Sequence, residues 1–263
     1  MSLVLLEKRQ GYAIVTLNRP GEMNALSRAL RADIIAVFDE CQRDDDIRVV
    51  ILTGSGRAFC AGFDLKEMAA TDKDNAADEI GNDMARAIDN FDGVIIGAIN
   101  GHAVTGGFEL ALACDVLIAS EQARFADTHA RVGILAGWGL SQKLPRMIGL
   151  SRAKEISLTG TPVFAQQAYE WGIVNHVVPH GELLEKAVEI AENMCACVPP
   201  VLKQYKLLID DGYNMSLRDA LAWEEQHSIE SARQMNAALM QQRRQQVMDK
   251  GRTESGVANG EPK

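Results

Sequence analysis

Apolar positions along the chain change their periodicity from one stretch to the next, and each change predicts an element. Residues 3–8 and 12–18 are two extended runs separated by Gln10-Gly11, the second alternating Ala13, Val15 and Leu17 against Tyr12, Ile14 and Thr16, which predicts a β-hairpin. From Ser27 onward Leu30, Ile34, Val37 and Cys41 recur at helical spacing, with Ser27 as the N-cap and Asp44-Asp45-Asp46 ending the pattern. Residues 48–53 form a short β-branched strand that leads through Gly54, Gly56 and Gly62 into a helix near Asp64. Residues 69–79 are small, polar and charged, the composition of a mobile surface segment. The continuous apolar run 94–99 predicts a buried strand, and Gly106-Gly107 a tight turn into a buried helix.

Short strands follow at 116–119 and 123–126, and a loop over 127–136 feeds a third glycine-opened helix from Gly137 to Pro145. Residues 151–158 and 161–169 are predicted helical, with a brief extended piece at 174–178. From 181 to 240 the pattern is helical apart from a break at Pro199-Pro200, and 251–263 has the composition of a disordered tail. Strands interleaved with helices give way to helices alone, so an α/β core over 1–200 with a helical region over 201–250 is expected.

Composition narrows the function. A chain of 263 residues with 47% hydrophobic content can bury a sizeable core. Its formal charge of −9 disfavours nucleic acid and anionic membrane surfaces as partners. No run approaches a membrane span and no apolar segment follows a basic N-terminal cluster, so a cytoplasmic location is expected. Five cysteines offer neither a disulfide framework nor a zinc spacing, and are expected to be reduced, mostly core thiols.

Chemistry is expected at the glycine turns. A helix opened by Gly106-Gly107 presents unpaired N–H groups and the positive end of its dipole, and a ligand oxygen can approach where no Cβ stands in the way. Glu109 lies in the first turn of that helix, where an acid either complements the dipole or does chemistry. A nicotinamide dehydrogenase is set aside because neither Gly54-Ser55-Gly56 nor Gly137-Trp138-Gly139 continues to the third glycine of that fingerprint. No Gly-x-Ser-x-Gly elbow marks a serine hydrolase.

Four motifs in register carry a resemblance. Asn18-Arg19-Pro20 with Asn24-Ala25-Leu26, then Ala58-Phe59-Cys60-Ala61-Gly62-Phe63-Asp64-Leu65, then Asn100-Gly101 through Gly106-Gly107-Phe108-Glu109-Leu110-Ala111, then Cys114-Asp115, resemble the enoyl-CoA hydratase/isomerase (crotonase) superfamily. The resemblance implies a crotonase-like spiral of repeated ββα units, a helical C-terminal trimerisation region, a homotrimer or hexamer, an acyl-CoA thioester substrate and no cofactor beyond its coenzyme A. It places the two oxyanion-hole N–H groups on Phe63 and Gly106, with Gly107 as the alternative to the latter. Fixed donors of this kind stabilise an enolate by roughly 3 to 4 kcal/mol each. Glu109 matches the first hydratase carboxylate, whose pKa an apolar acyl chain is expected to raise. Ala61, Asp64, Leu65 and Lys66 match the segment lining the coenzyme A side, and Gly137 a glycine facing the site.

The sequence also departs from the family pattern. His129 stands where typical hydratases carry their second glutamate, which leaves three readings open: hydration with His129 or Asp127 as the acid, other enolate chemistry such as isomerisation or decarboxylation, or a non-catalytic acyl-CoA binding protein. A histidine near its ordinary pKa suits proton transfer and equally suits a structural hydrogen bond. Trp138 and Leu140 replace small residues and Ala136 a proline, so Trp138 is either a core or interface aromatic or one that reshapes the acyl pocket.

Overall fold

The computed structural model describes residues 2–70 and 82–233, together with 240, 241, 243–245 and 248. Most of the segment expected to be mobile and the whole of the tail expected to be disordered lie outside these residues.

The chain divides into two compact units, residues 1–203 and 204–263. In the first, a six-stranded sheet runs β1 (Val4–Lys8), β2 (Tyr12–Leu17), β3 (Val49–Gly54), β5 (Val94–Ile99), β7 (Val116–Ser120), β10 (His176–Val178). Only the predicted hairpin β1/β2 is antiparallel; every other neighbour in this sheet is parallel. A second sheet of four short strands has the order β4 (Ala58–Cys60), β6 (His102–Val104), β8 (Arg124–Ala126), β9 (Val163–Phe164).

Three successive segments repeat one plan. β3 and β4 lead to α2 (Leu65–Ala70), β5 and β6 to α4 (Gly106–Leu112), and β7 and β8 to α5 (His129–Val132). In each, the first strand joins the large sheet and the second the small one, parallel to its counterpart in the next turn. The chain therefore winds as a spiral of ββα units, and the C-terminal ends of β4, β6 and β8 come to lie side by side. In open α/β sheets that end is where ligands bind.

The central strands β2, β3, β5 and β7 are buried on both faces, which is why they are almost wholly apolar, whereas the edge strands β1 and β10 are partly exposed. Ala13, Val15, Leu17, Val50 and Leu52 join the core that also contains α1 (Arg28–Arg43), while Tyr12, Ile14, Val49 and Ile51 pack with Leu183, Ala187 and Ala191 of α9 (Leu183–Cys195). Helix α1 is capped as expected, the Ser27 hydroxyl accepting from the Leu30 N–H at 3.2 Å. Its buried face is Leu30, Ile34, Phe38 and Cys41; Phe38 takes the place expected of Val37, which is only half-buried. Each large side chain in that row contributes about 1.5–3 kcal/mol through burial.

Other expectations need correction. β4 and α5 lie in stretches expected to be loop, β6 in one for which no element is expected, and β9 interrupts the helix expected over 161–169, where α8 (Ala165–Glu170) begins only after it. Elements of two to four residues are too short to display a period of two or 3.6. Among the described residues, the remaining α-helices of this unit are α3 (Asp83–Asp89), α6 (Leu140–Ile148) and α7 (Leu150–Thr159).

A helix α10 (Pro199–Tyr213) begins at the diproline, where prolines suit the N-terminal turn because its N–H groups have no intrahelical partner. The second unit continues with α11 (Leu217–Arg233), the Ser216 hydroxyl accepting from the Asp219 N–H at 3.3 Å. Leu207, Ile209, Tyr213, Leu217 and Leu221 are exposed in it. No helix among the described residues is long and apolar enough to cross a membrane.

Candidate active site

Two turns from different repeats meet where β4 and β6 end. Gly62 has φ +85°, and a Cβ there would lie 2.7 Å from the Val104 carbonyl oxygen and 3.1 Å from the Gly106 nitrogen. Only glycine satisfies both that backbone and that approach. The loop is fixed from beneath by Asn24, fully buried, whose amide donates to the carbonyls of Ala58 at 2.8 Å and Phe59 at 3.1 Å. Leu26 pairs with Phe63 in a parallel bridge, with the Leu26 N–H donating to the Gly62 carbonyl at 2.8 Å. That register turns the Phe63 N–H away from the bridge. Among the described residues neither the Phe63 N–H nor the Gly106 N–H has a backbone acceptor. Gly107 is packed against the Cys60 carbonyl, which leaves no room for a side chain.

Glu109 follows in the first turn of α4 and is 2% exposed. Its Oε1 accepts the Trp138 N–H at 2.7 Å and the Leu140 N–H at 3.4 Å, both from the entry to α6. Its Oε2 lies 3.4 Å from Nε2 of His129, which is buried at the start of α5. The other ring nitrogen of His129 donates to Asp127 Oδ1 at 2.7 Å, and the His129 backbone N–H reaches the same oxygen at 3.1 Å. Glu109, His129 and Asp127 thus form one buried row with the imidazole in the middle.

Charge follows from this placement. Burial works to lower the His129 pKa, but the carboxylates of Asp127 and Glu109 on either side outweigh it and lift the group to about 9. For Asp127 burial works upward, yet the hydrogen bonds from His129 and Ser157 hold its carboxyl below the usual range. At neutral pH the row is a cationic imidazole between its two acidic neighbours.

Trp138 is 8% exposed and its ring lies 4.8 Å from that of Phe63, tilted by 45°. The Arg31 guanidinium stands 5.3 Å from the other ring of this pair, over Phe63. The two aromatic side chains therefore wall the space beside the open N–H groups, while the Trp138 main chain serves Glu109. Gly137 is exposed and Ala61 half-buried.

The remaining residues matched to the coenzyme A segment divide into anchors and surface. Asp64 is 7% exposed, accepts from Arg19 Nη1 at 2.6 Å, and takes the Lys66 and Glu67 N–H groups at 3.1 and 3.3 Å, capping α2. The Arg19 hydrogen bond holds its carboxyl below the usual range, against the opposing effect of burial. Leu65 is exposed, and Lys66 pairs at the surface with Glu22 at 3.2 Å.

The sequence did not disclose the donors to Glu109, because a backbone N–H from Trp138 or Leu140 leaves no mark in residue type. Nor did it disclose that His129 and Asp127, taken as alternative acids, are bonded to each other.

Comparison with known proteins sets this geometry in context. A family described as enoyl-CoA hydratase/isomerase matches residues 7–250. A probable peroxisomal enoyl-CoA hydratase of Arabidopsis thaliana is 45% identical over 228 residues, 86% of each chain. A putative enoyl-CoA hydratase/isomerase of Bacillus subtilis is 39% identical over 227 residues, 85% of this chain and 87% of that one. The crystal structure of an enoyl-CoA hydratase from Bacillus anthracis superposes with a TM-score of 0.85 at 36% identity, covering 90% of this chain and 93% of the other.

Proposed function

The chain belongs to the enoyl-CoA hydratase/isomerase family, with its crotonase fold, and is one of the family's enzymes; from that premise we propose that it adds water to a trans-2-enoyl-CoA thioester. The observation that carries the reading is the buried row Glu109, His129, Asp127 beside the two open N–H groups of Phe63 and Gly106.

In this reading the thioester oxygen accepts from Phe63 and Gly106, and the charge it gains on enolisation is stabilised by donors that need no reorganisation. Glu109 Oε1 is held by two backbone N–H groups, which leaves Oε2 to take a proton from the water whose oxygen bonds to Cβ. Imidazolium His129 gives its Nε2 proton to Cα. The proton on Glu109 then passes to His129 across their contact, and both groups return to their starting states. Water is consumed, the carbon–carbon double bond becomes a single bond, and a 3-hydroxyacyl-CoA results. A cationic histidine thus does the work of the family's second glutamate, and no cofactor is required beyond the coenzyme A of the substrate.

A second reading keeps the enolate and changes its fate. Double-bond migration moves a proton between Cγ and Cα, and an adjoining base and acid suit it equally; the direct Glu109–His129 contact favours that possibility. For assembly we propose a homotrimer or a dimer of trimers, supported by the exposed apolar side chains of α10 and α11.

The deciding assay mixes the purified protein with crotonyl-CoA, follows loss of the enone absorbance and identifies the product by NMR. Formation of 3-hydroxybutyryl-CoA supports hydration. No consumption of crotonyl-CoA, together with conversion of a 3-enoyl-CoA, would replace it with isomerisation.

A further inference from the structure

Thr105 is a β-branched residue at φ +55°, ψ −111°, immediately before the open Gly106 N–H. L-residues rarely adopt this backbone, β-branched ones least of all, so the surrounding structure holds Thr105 there against strain. Thr105 is also the N-cap of α4, yet its hydroxyl makes no capping hydrogen bond. A threonine in that role ordinarily accepts from the N–H groups of its own first turn. Here the side chain is turned across to the next repeat. Its Oγ1 lies 2.5 Å from Thr128 Oγ1 and accepts the Thr128 backbone N–H at 3.1 Å. The Thr105 N–H extends the β6/β8 ladder by donating to the Ala126 carbonyl at 2.8 Å. Its own carbonyl takes the N–H groups of Phe108 and Glu109, each at 2.9 Å.

Thr128 stands between Asp127 and His129. One strained residue therefore grips, at one end, the turn that presents Gly106 and starts the helix of Glu109, and at the other the turn that carries the acid. We propose that Thr105 is a positioning residue: its hydroxyl clasps Thr128 so that the turn presenting the Gly106 N–H and the turn carrying His129 are held in register with Glu109. This rests on the reading of Gly106, Glu109 and His129 given above. It accounts for a threonine where glycine would fit the backbone without strain. The clasp touches no reacting atom and acts only through its neighbours.

The test compares wild type with Thr105→Gly, Thr105→Ser and Thr128→Val by crotonyl-CoA hydration and by NMR of the substrate-free protein. Glycine relieves the backbone and deletes the hydroxyl, so Thr105→Gly is expected to keep or raise the melting temperature while kcat falls about ten- to a hundredfold with KM within about twofold. Thr128→Val should lose a similar amount, and serine at 105 should restore kcat to within about threefold. The Gly106 amide and His129 ring resonances should shift in Thr105→Gly and Thr128→Val but not in Thr105→Ser. Those resonances need no turnover, so they judge the clasp even if crotonyl-CoA is not the substrate. Full kcat in Thr105→Gly, or unmoved Gly106 and His129 signals in Thr128→Val, would overturn the proposal.

Discussion

Asp127 Oδ1 receives two N–H groups from a single residue, the ring Nδ1 of His129 at 2.7 Å and its backbone nitrogen at 3.1 Å. The imidazole is thereby fixed in orientation and in charge, with only Nε2 left to face Glu109. With the His129 pKa at about 9, a proton donor at this position stays loaded across neutral pH. The kcat of wild type is therefore expected to hold level and then fall as pH rises through about 9. Facing His129 are Glu109 from α4 and Asp127 on its own turn, with Ser157 of α7 behind Asp127. In Asp127→Asn one of the two flanking carboxylates is gone, and the alkaline limb should move down toward the ordinary histidine value of about 6.5. A limb that stays in place in the variant would rule out Asp127 as the group that sets it.

The same pair makes a stability prediction of definite sign. A folded-state pKa raised above its unfolded value contributes stability that is fully present below about pH 6.5 and is lost as pH rises through the folded value, about 9 for His129. Asp127, depressed in the folded state, contributes above its ordinary value of about 3.8 and loses that contribution as pH falls through its lower folded value. The two together stabilise most in the weakly acid range. Thermal melts of wild type and His129→Gln should differ most near pH 6 and converge above about pH 9. A gap that widens with rising pH would show that the imidazole is held neutral.

Glu109→Gln leaves an amide oxygen to accept from Trp138 but no base to receive a proton. The expected loss in kcat is about 10²- to 10⁴-fold, with KM little changed. Stopped or steady-state enone assays read this directly; a loss below about tenfold would mean that another group deprotonates the water.

Trp138 joins main-chain and side-chain duties, its N–H on Glu109 and its ring against Phe63. Trp138→Ala keeps the first and removes the second. Rates with oct-2-enoyl-CoA should rise relative to crotonyl-CoA by at least about tenfold, the effect of accommodating one more methylene at about 1–3 kcal/mol. The variant should also be less stable by about 3–5 kcal/mol, the usual cost of emptying an aromatic site. An unchanged ratio of the two rates would place the acyl chain elsewhere.

Asn24→Ala tests the support under the Phe63 loop. The side chain donates to Ser55, Ala58 and Phe59 carbonyls and accepts the Arg19 N–H at 2.8 Å. Each buried group left unpaired costs about 1–3 kcal/mol, and alanine is also ill suited to the positive φ of 55° at this position. Chemical denaturation should register a loss of at least about 3 kcal/mol together with a raised KM. A variant as stable as wild type would show that water replaces the amide without cost.

The long periodic stretches were legible in the sequence. The hairpin, α1 with its Ser27 cap and the buried run of β5 all follow from spacing, and Gly107 marks its turn because nothing larger fits over the Cys60 carbonyl. The second sheet was not legible. Strands of two or three residues carry no period, and they exist because each lies in register with its neighbour in the next turn, a relation between residues some twenty to forty positions apart. His129 stood out by its type, but its partners did not: Asp127 is two residues away and looked like a competitor until the turn brought both onto one hydrogen bond. The strain at Thr105 was invisible for the same reason, since dihedral angles are imposed by tertiary context and not by residue type.

Glu109 is gripped at Oε1 by the backbone N–H groups of Trp138 and Leu140, and the other open donors beside it, on Phe63 and Gly106, are also main chain. A peptide N–H is present in every residue except proline. Mutation at 63, 138 or 140 can therefore redraw what the walls admit while leaving these donors in place, and proline is the one residue that silences them outright. A lineage carrying this architecture can wander widely in substrate preference before it risks its reaction, because selectivity and chemistry are written in separable parts of the same residues.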